Sequence, residues 1–216
     1  MVLKSAKLRL HLFASRTHKW LAIIIGAQLL LWFMSGALMS FLPIDRVHGD
    51  HLVDRKAVTA IPTGIALAPP SAIVAARGAP IEAMTYRMWL GRPVAEVATA
   101  KGTHLFDAMT GAALPAPTAR QAEAIARAAW RGSGQPAATV ERIERISPEY
   151  RGALPAWRIA FADPDSTRVF VASDTGRIAA VRTGTWRLYD FFWGCLLYTS
   201  DAADDLLCVD LGGRRI

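Results

Sequence analysis

The sequence predicts an α+β protein: one N-terminal transmembrane helix, followed by two small units that each pair a helix with a three-stranded antiparallel sheet. Three observations support this fold class. Residues 20–42 form an uncharged apolar run, which is long enough to cross the ~30 Å hydrocarbon core as a single helix. Beyond this run, short helical patterns are followed by segments in which apolar and polar residues alternate. The order of these segments then repeats along the chain.

The charges beside the apolar run predict its orientation. Residues 1–19 contain no acidic residue and carry the basic side chains Lys4, Lys7, Arg9, Arg16 and Lys19. Such an excess marks the cytoplasmic side of a membrane span. A secretory signal peptide is the alternative, but its apolar core is shorter and precedes a small-x-small cleavage site. We therefore expect an uncleaved anchor in the lipid bilayer, with a basic leader that is either a surface-bound amphipathic helix or solvated.

Polar residues inside the apolar run predict a helical partner. Gln28 and Ser35 are seven residues apart, so they lie on nearly the same face of a helix. Small and polar residues on one face of a membrane helix often pack against another helix. We expect a second transmembrane helix, either missing from this chain or supplied by another subunit. Pro43 is expected to end the first helix.

Three histidines are candidate ligands near the ends of this span. His18 precedes Trp20 by two residues, and it is either an interfacial residue among lipid phosphates or an axial ligand of haem or another metal. His48 and His51 are three residues apart, close to Asp45 and Asp50. They form either a metal-binding turn or part of an ordered linker, and two histidines without a third ligand do not define a metal site.

The region after the linker alternates predicted helices and strands. A capped helix of about two turns is expected in residues 62–77, and a longer one over residues 118–131, where Gly132 supplies the stop. Ala122, Ile125, Ala129 and Trp130 form the apolar stripe of the second helix. The predicted strands cover residues 81–90, 93–100, 103–107, 139–146, 156–162, 169–172 and 177–181.

A local match supports an internal repeat of helix and three strands. HLFDAMTGAAL at residues 104–114 aligns with VFVASDTGRIA at residues 169–179, and PVAEV at residue 93 aligns with PAWRI at residue 155. Asp107 and Asp174 are expected to begin turns in which Gly111 and Gly176 adopt positive φ.

The last residues of the sequence, from Cys195 onward, differ in pattern from the rest of the chain. One codon choice for residues 195–205 matches a transposase-based sequencing adapter, and one for the end of Cys208 through Ile216 matches a flow-cell primer. We expect residues 195–216 to be translated adapter and the natural fragment to be truncated after about Gly194; native codons through this stretch at the locus would refute this. Both cysteines, Cys195 and Cys208, lie in this tail, so no disulfide or thiolate metal site is expected elsewhere.

Several function classes receive no support from the sequence. No hydrolase or phosphate-loop motif occurs, so catalytic residues are not predicted, and the acidic residues Glu149, Asp163, Asp165 and Asp174 are interpreted as solvated turn residues. The basic excess is largest in the leader, where lipid headgroups explain it. A nucleic-acid partner is therefore not expected.

Quoted motifs connect the chain to a family. RTHKW at residues 16–20, SGALMSFLP at residues 35–43 and RVHG at residues 46–49 resemble the PepSY-associated transmembrane proteins of the bacterial inner membrane. The helix-plus-sheet units ending in D-x-x-T-G or D-T-G are similar to the PepSY unit, and TWRLYDFFWG at residues 185–194 resembles the family's approach to its next span. The resemblance implies a cytoplasmic N-terminus and residues 43–190 in the periplasm.

The resemblance implies two functions. One is a binding or regulatory module whose periplasmic domain meets a protein or peptide. The other is a fragment of a membrane oxidoreductase for ferric-siderophore (iron) reduction, in which haem b would use His18; by itself the fragment is not expected to be an enzyme. The predicted boundaries are leader 1–17, transmembrane helix 18–42, linker 43–61, PepSY-like units 62–116 and 117–184, lead-in to a missing second span 185–194, and tail 195–216.

Overall fold

The N-terminal segment folds as one long helix. The computed structural model describes residues 2–57 and 59–194, so the predicted adapter-like tail lies outside the described residues. Helix α1 runs over Val2–Phe41. The basic leader, which was predicted as a separate segment because of its charge, belongs to the same helix as the apolar run. No proline or glycine interrupts residues 2–25, so nothing in this stretch breaks the helix. Its part Arg9–Phe41 is long and apolar enough to cross a membrane.

The described chain divides into two compact units. Of the described residues, 2–43 and 187–194 form the helical unit, and 44–57 and 59–186 form the α+β unit. In the helical unit, α1 ends one residue before the predicted boundary, and Pro43 follows it. The two predicted PepSY-like units thus lie within a single compact α+β unit.

Two short helices open the α+β unit. Helix α2 covers Ile44–His48 and helix α3 covers Pro70–Arg77. Helix α3 begins with proline in its first turn, where the missing N–H costs no hydrogen bond. It ends at Gly78, whose left-handed φ of 62° lets its N–H reach the carbonyl of Val74. The predicted two-turn helix in residues 62–77 is present, without a side-chain cap at its start.

The first sheet has the predicted three antiparallel strands. These are β1 (Ala83–Trp89), β2 (Arg92–Thr99) and β3 (Gly102–Asp107), in the order β1-β2-β3. Leu90 and Gly91, both with positive φ, form the two-residue turn between β1 and β2.

The second unit has four strands, which agrees with the four predicted strand segments but not with the three-stranded unit of the predicted fold class. Helix α4 (Ala119–Ala128) precedes β4 (Ala138–Ile143), β5 (Ala156–Phe161), β6 (Arg168–Ala172) and β7 (Ile178–Arg182), which are antiparallel and in sequence order. The first unit makes only a single bridge, Phe106 to Ala113, at the position of β7. Pro115 and Pro117 follow that bridge and cannot donate to a ladder.

Helix α4 also ends earlier than expected. Thr118 caps it with a reciprocal hydrogen-bond pair to Gln121, but the last helical residue is Ala128 and not Arg131. Trp130 instead pairs with Val53 in a β-bridge and its ring packs against that of Phe161, with centroids 4.7 Å apart. Tertiary contacts therefore end the helix before the predicted stop at Gly132.

The repeated turns have the same hydrogen bonds. In each turn the glycine N–H donates to the carbonyl four residues earlier: Gly111 to Asp107 and Gly176 to Ala172, both at 2.8 Å. Before each turn, β2–β3 and β5–β6 pair in the same register, since Val94 faces Asp107 and Ala156 faces Ala172. Asp107 begins its turn as predicted, whereas Ala172 occupies that place in the second turn and Asp174 lies inside it.

The core is built in layers. Helix α3 covers one face of the first sheet through Ile73, which packs with Val97 and Phe106. Helix α4 lies between the two sheets, because Ile125 contacts both the cluster on the other face of the first sheet and the main cluster of the second sheet. The outer face of the second sheet carries Tyr150, from the β4–β5 connection.

The predicted linker is ordered where it meets the second sheet. Val53 is fully buried, and its neighbours exchange backbone hydrogen bonds with the end of α4 (Asp54 to Ala129 and Arg131 to Leu52, both 2.8 Å). Residues 44–54 therefore pack as part of the α+β unit.

Candidate functional site

One face of helix α1 is shielded. Ser35 is 3% exposed, although most of the apolar side chains of α1 are more than half exposed. Gln28, Trp32, Gly36 and Met39 are half-buried, and their spacing of three or four residues places them on the same face. The predicted polar face of α1 is therefore a packing surface within the helical unit.

A second helix supplies one contact to this face. Residues 184–194 are helical, and Thr183 accepts a hydrogen bond from the N–H of Trp186 at 3.1 Å, as an N-cap does. The hydroxyl of Ser35 donates to the carbonyl of Phe192 at 2.8 Å. Such hydrogen bonds between membrane helices are worth about 0.6 kcal/mol on average. That these residues begin a second membrane span stays a prediction.

His18 lies exposed on α1. It precedes Gly36 by eighteen residues, which is five helical turns, so it lies in line with Gly36 at the border of the shielded face. His11 precedes it by seven residues on nearly the same line. Two histidines separated by ~10 Å along one helix cannot be the two axial ligands of one iron. That His18 ligates haem stays a prediction, and a second axial ligand would have to come from another helix.

The two histidines of the linker have different surroundings. The Nε2 atom of His51 lies 3.8 Å from Oδ2 of Asp165, while His48 is exposed at the end of α2. Asp50 is held by Arg55, and the pKa of its carboxyl is lowered chiefly by that hydrogen bond. Within residues whose placement is described, no three His, Cys, Asp or Glu side chains converge to hold a metal ion.

A charged cluster joins the two sheets. Oε2 of Glu96 accepts hydrogen bonds from Nε of Arg87 at 2.9 Å and from Nε of Arg177 at 2.8 Å. The side chains of Glu96 and Arg87 are only 17% and 18% exposed. Burial lowers the pKa of the Arg87 guanidinium, and the charge of Glu96 opposes this effect. Arg87 also donates to the carbonyl of Thr175, so the cluster holds the second T-G turn against β1.

The sequence analysis did not predict this cluster. Glu96 is a charged residue inside an otherwise apolar strand segment, PVAEV. This charge in an apolar strand was the sequence feature that could have indicated a buried ion pair. Glu149 was interpreted as a solvated turn residue, and this is wrong. Its carboxylate accepts from Nη1 of Arg168 with both oxygens at 2.7 Å and is 18% exposed, because the β4–β5 connection folds back over the sheet.

The two sheets have edges of different character. Strand β1 is terminal in the first sheet and β4 in the second. The exposed residues of β4 include the charged Glu141 and Arg142, whereas residues 83–86 of β1 carry no charge. Charged side chains on an edge strand disfavour the addition of another strand. Residues 83–86 of β1 therefore form an uncharged edge segment, which is the kind of edge that can accept an extended peptide.

The comparisons with known proteins assign no family. No match was found among protein-family models, curated proteins or solved structures. The PepSY-like assignment therefore rests on the sequence motifs quoted above and on the repeated turn geometry, and it is carried forward as a proposal.

Proposed function

We propose that this chain belongs to a PepSY-type protein of the bacterial inner membrane, whose periplasmic α+β unit is a binding or regulatory module for a protein or peptide. The uncharged edge of β1 is the observation that carries this proposal. A membrane-spanning α1 with its basic end in the cytoplasm would place residues 44–186 in the periplasm.

Recognition at β1 would take the form of strand addition. An edge strand offers unpaired backbone N–H and C=O groups, and its side chains set specificity at alternate positions. Along β1, Ala83 and Thr85 are exposed while Met84 and Tyr86 are half-buried. Met84 and Tyr86 also pack against the Ile73 cluster under α3. One face of this edge segment therefore packs on a formed core, so the segment is already ordered. An ordered edge loses less conformational entropy when a peptide binds.

A pair of matched substitutions tests this proposal. Thr85→Lys places a charge on the β1 edge, and Thr139→Lys places the same charge at an exposed position on β4. The full chain in nanodiscs is screened against a phage-displayed library of random peptides. We expect a recurrent sequence to be enriched on the wild type and the Thr139 variant and lost on the Thr85 variant, with all three melting alike. Equal enrichment on all three, or none on the wild type, would count against β1.

A second candidate function rests on His18. Its position at the border of the shielded face of α1 suits a residue that faces a neighbouring helix, and an imidazole there would ligate haem b in a membrane oxidoreductase for iron reduction. When bound, haem would supply one-electron transfer, and this chain would contribute the ligand nitrogen.

Spectroscopy on matched variants tests this second function. Reduced-minus-oxidised spectra are recorded on the full-length protein in detergent, after expression with added haem. We expect a b-type band that His18→Ala removes and His11→Ala leaves in place. A band that survives His18→Ala, or no band in the wild type, would rule out this role for His18.

A further inference from the structure

The edge segment of β1 has two faces of different character. Met84 and Tyr86 pack against the core cluster under α3. Side chains alternate along a strand, so Thr85 lies on the opposite face, where it is exposed and uncharged. A strand added beside residues 83–86 would therefore place its successive side chains alternately beside an apolar face and beside Thr85.

The charged cluster of Glu96 lies on the same face as Thr85. In the β1–β2 ladder Thr85 is directly opposite Glu96, and opposed residues direct their side chains to the same face of a sheet. Oε2 of Glu96 accepts hydrogen bonds from Nε of Arg87 at 2.9 Å and from Nε of Arg177 at 2.8 Å. Both guanidinium groups therefore reach a carboxylate whose residue is the neighbour of Thr85.

This cluster carries an excess of positive charge. Two guanidinium groups share the single carboxylate of Glu96. Asp174 is exposed in the turn that contacts Arg87, but it forms no ion pair within the residues that the structure describes. The side chain of Arg177 is 51% exposed, and in the described part of the chain only Nε of its guanidinium donates a hydrogen bond. Its two Nη groups can therefore donate to an acceptor from another molecule.

We propose that the β1 edge selects an extended peptide in which an acidic side chain stands between two apolar ones. The inference rests on the peptide-binding role proposed for β1, and it names the chemistry of that peptide. In an antiparallel addition the acidic residue would lie opposite Thr85. Diagonal neighbours such as Arg87 are then ~7–8 Å away, within reach of a long side chain. The two flanking residues would face Met84 and Tyr86, where apolar side chains lose contact with water.

Charge complementarity of this kind acts on the choice of peptide more than on affinity. An exposed ion pair adds little binding free energy, because water and salt screen it. A basic residue at the same position would instead be repelled by the excess charge of the cluster. Attraction of one charge and repulsion of the other together give specificity.

Peptide selection on charge variants tests this inference. The full chain in nanodiscs is screened against the phage-displayed library of random peptides, and the recovered sequences are compared with the unselected library. We expect the wild type to enrich Asp or Glu between two apolar residues by at least about threefold, as an exposed cross-strand charge pair allows. Arg177→Gln should abolish this preference, and Arg177→Glu should replace the acidic residue by Lys or Arg, because the excess charge is first removed and then reversed.

Arg158→Glu is the matched control. Arg158 also pairs with a glutamate across two strands, and its side chain is 32% exposed, but it lies on β5 of the second sheet. This variant changes the net charge of the chain by the same amount as Arg177→Glu, so it reports any general effect of charge on the binding of phage. It should keep the acidic preference of the wild type. Arg177→Gln removes only a half-exposed charge, so it keeps the test decisive if Arg177→Glu does not fold.

The outcomes separate this inference from the function on which it rests. If no sequence is enriched on the wild type, the peptide-binding role of β1 is itself contradicted. A recurrent sequence that Thr85→Lys abolishes, but that has no acidic position, supports that role and overturns the acidic preference. An acidic preference that persists in both Arg177 variants, or that Arg158→Glu abolishes equally, also overturns the inference, since the cluster of Glu96 would then not be its cause.

Discussion

At the scale of single residues, two glycines in equivalent turns have different surroundings. Gly111 and Gly176 have φ values of 76° and 62°, a region in which a side chain is strained. A Cβ on Gly111 would meet nothing closer than 3.6 Å, whereas a Cβ on Gly176 would lie 2.6 Å from Nε1 of Trp89. The turn of the first unit thus has room for a Cβ at ordinary contact distance from α3, whereas the turn of the second unit lies too close to the neighbouring sheet for one.

Alanine substitutions at the two glycines should separate the cost of backbone strain from the cost of a steric collision. We expect Gly111→Ala to cost about 1 kcal/mol from backbone strain alone. Gly176→Ala adds a collision with a buried indole and should cost at least about 1 kcal/mol more. Thermal unfolding of the full chain in detergent, followed by near-ultraviolet circular dichroism, measures both. Equal costs for the two variants would contradict the close approach of Gly176 to Trp89.

At the scale of elements, the cluster of Glu96 fastens strand β1 to the turn between β6 and β7. The carboxylate of Glu96 accepts hydrogen bonds from two guanidinium groups, and Arg87 also donates to the carbonyl of Thr175. Removing the charge of Glu96 would leave Arg87 largely buried without its counter-ion. The loss of one partner from a buried pair costs more than the pair itself contributes.

A neutral isostere tests this fastening. We expect Glu96→Gln to destabilise the α+β unit by about 1–3 kcal/mol, below the range for fully buried pairs because Arg177 is half exposed. Glu141→Gln is the control, since the Glu141–Arg158 pair lies across β4 and β5 with Glu141 59% exposed. Its loss should cost no more than about 0.5 kcal/mol. Denaturant unfolding of the two variants compares them directly, and equal effects would show that the cluster is only a surface ion pair.

Element boundaries show where local pattern was sufficient. The strands of the first sheet, the start of α4 and the end of α1 were predicted within about two residues, because alternation, helical periodicity and proline act locally. The end of α4 was wrong, since Trp130 leaves the helix to pair with Val53. Residues 177–181 were predicted as a strand, but the predicted unit counted only three strands, because the pairing of this fourth segment depends on the chain that follows the turn.

At the scale of the whole molecule, α4 makes two repeats into one compact unit. Ile125 packs into clusters on both sheets, so neither sheet completes its core alone. The linker adds Val53 to the cluster of the second sheet. Binding of a peptide at the β1 edge would therefore be coupled to the second sheet through the shared core as well as through the Glu96 cluster.

The amino-acid sequence by itself determined the helix that can span a membrane, the α+β class and the repeated turns, since these depend on composition and short-range spacing. It also indicated the packing face of α1 through Gln28 and Ser35. Only the tertiary structure decided which groups meet: Ser35 with Phe192, Glu96 with two arginines, and Glu149 with Arg168. Each of these contacts joins residues from different elements, and no local pattern encodes the distance between two elements once they have packed.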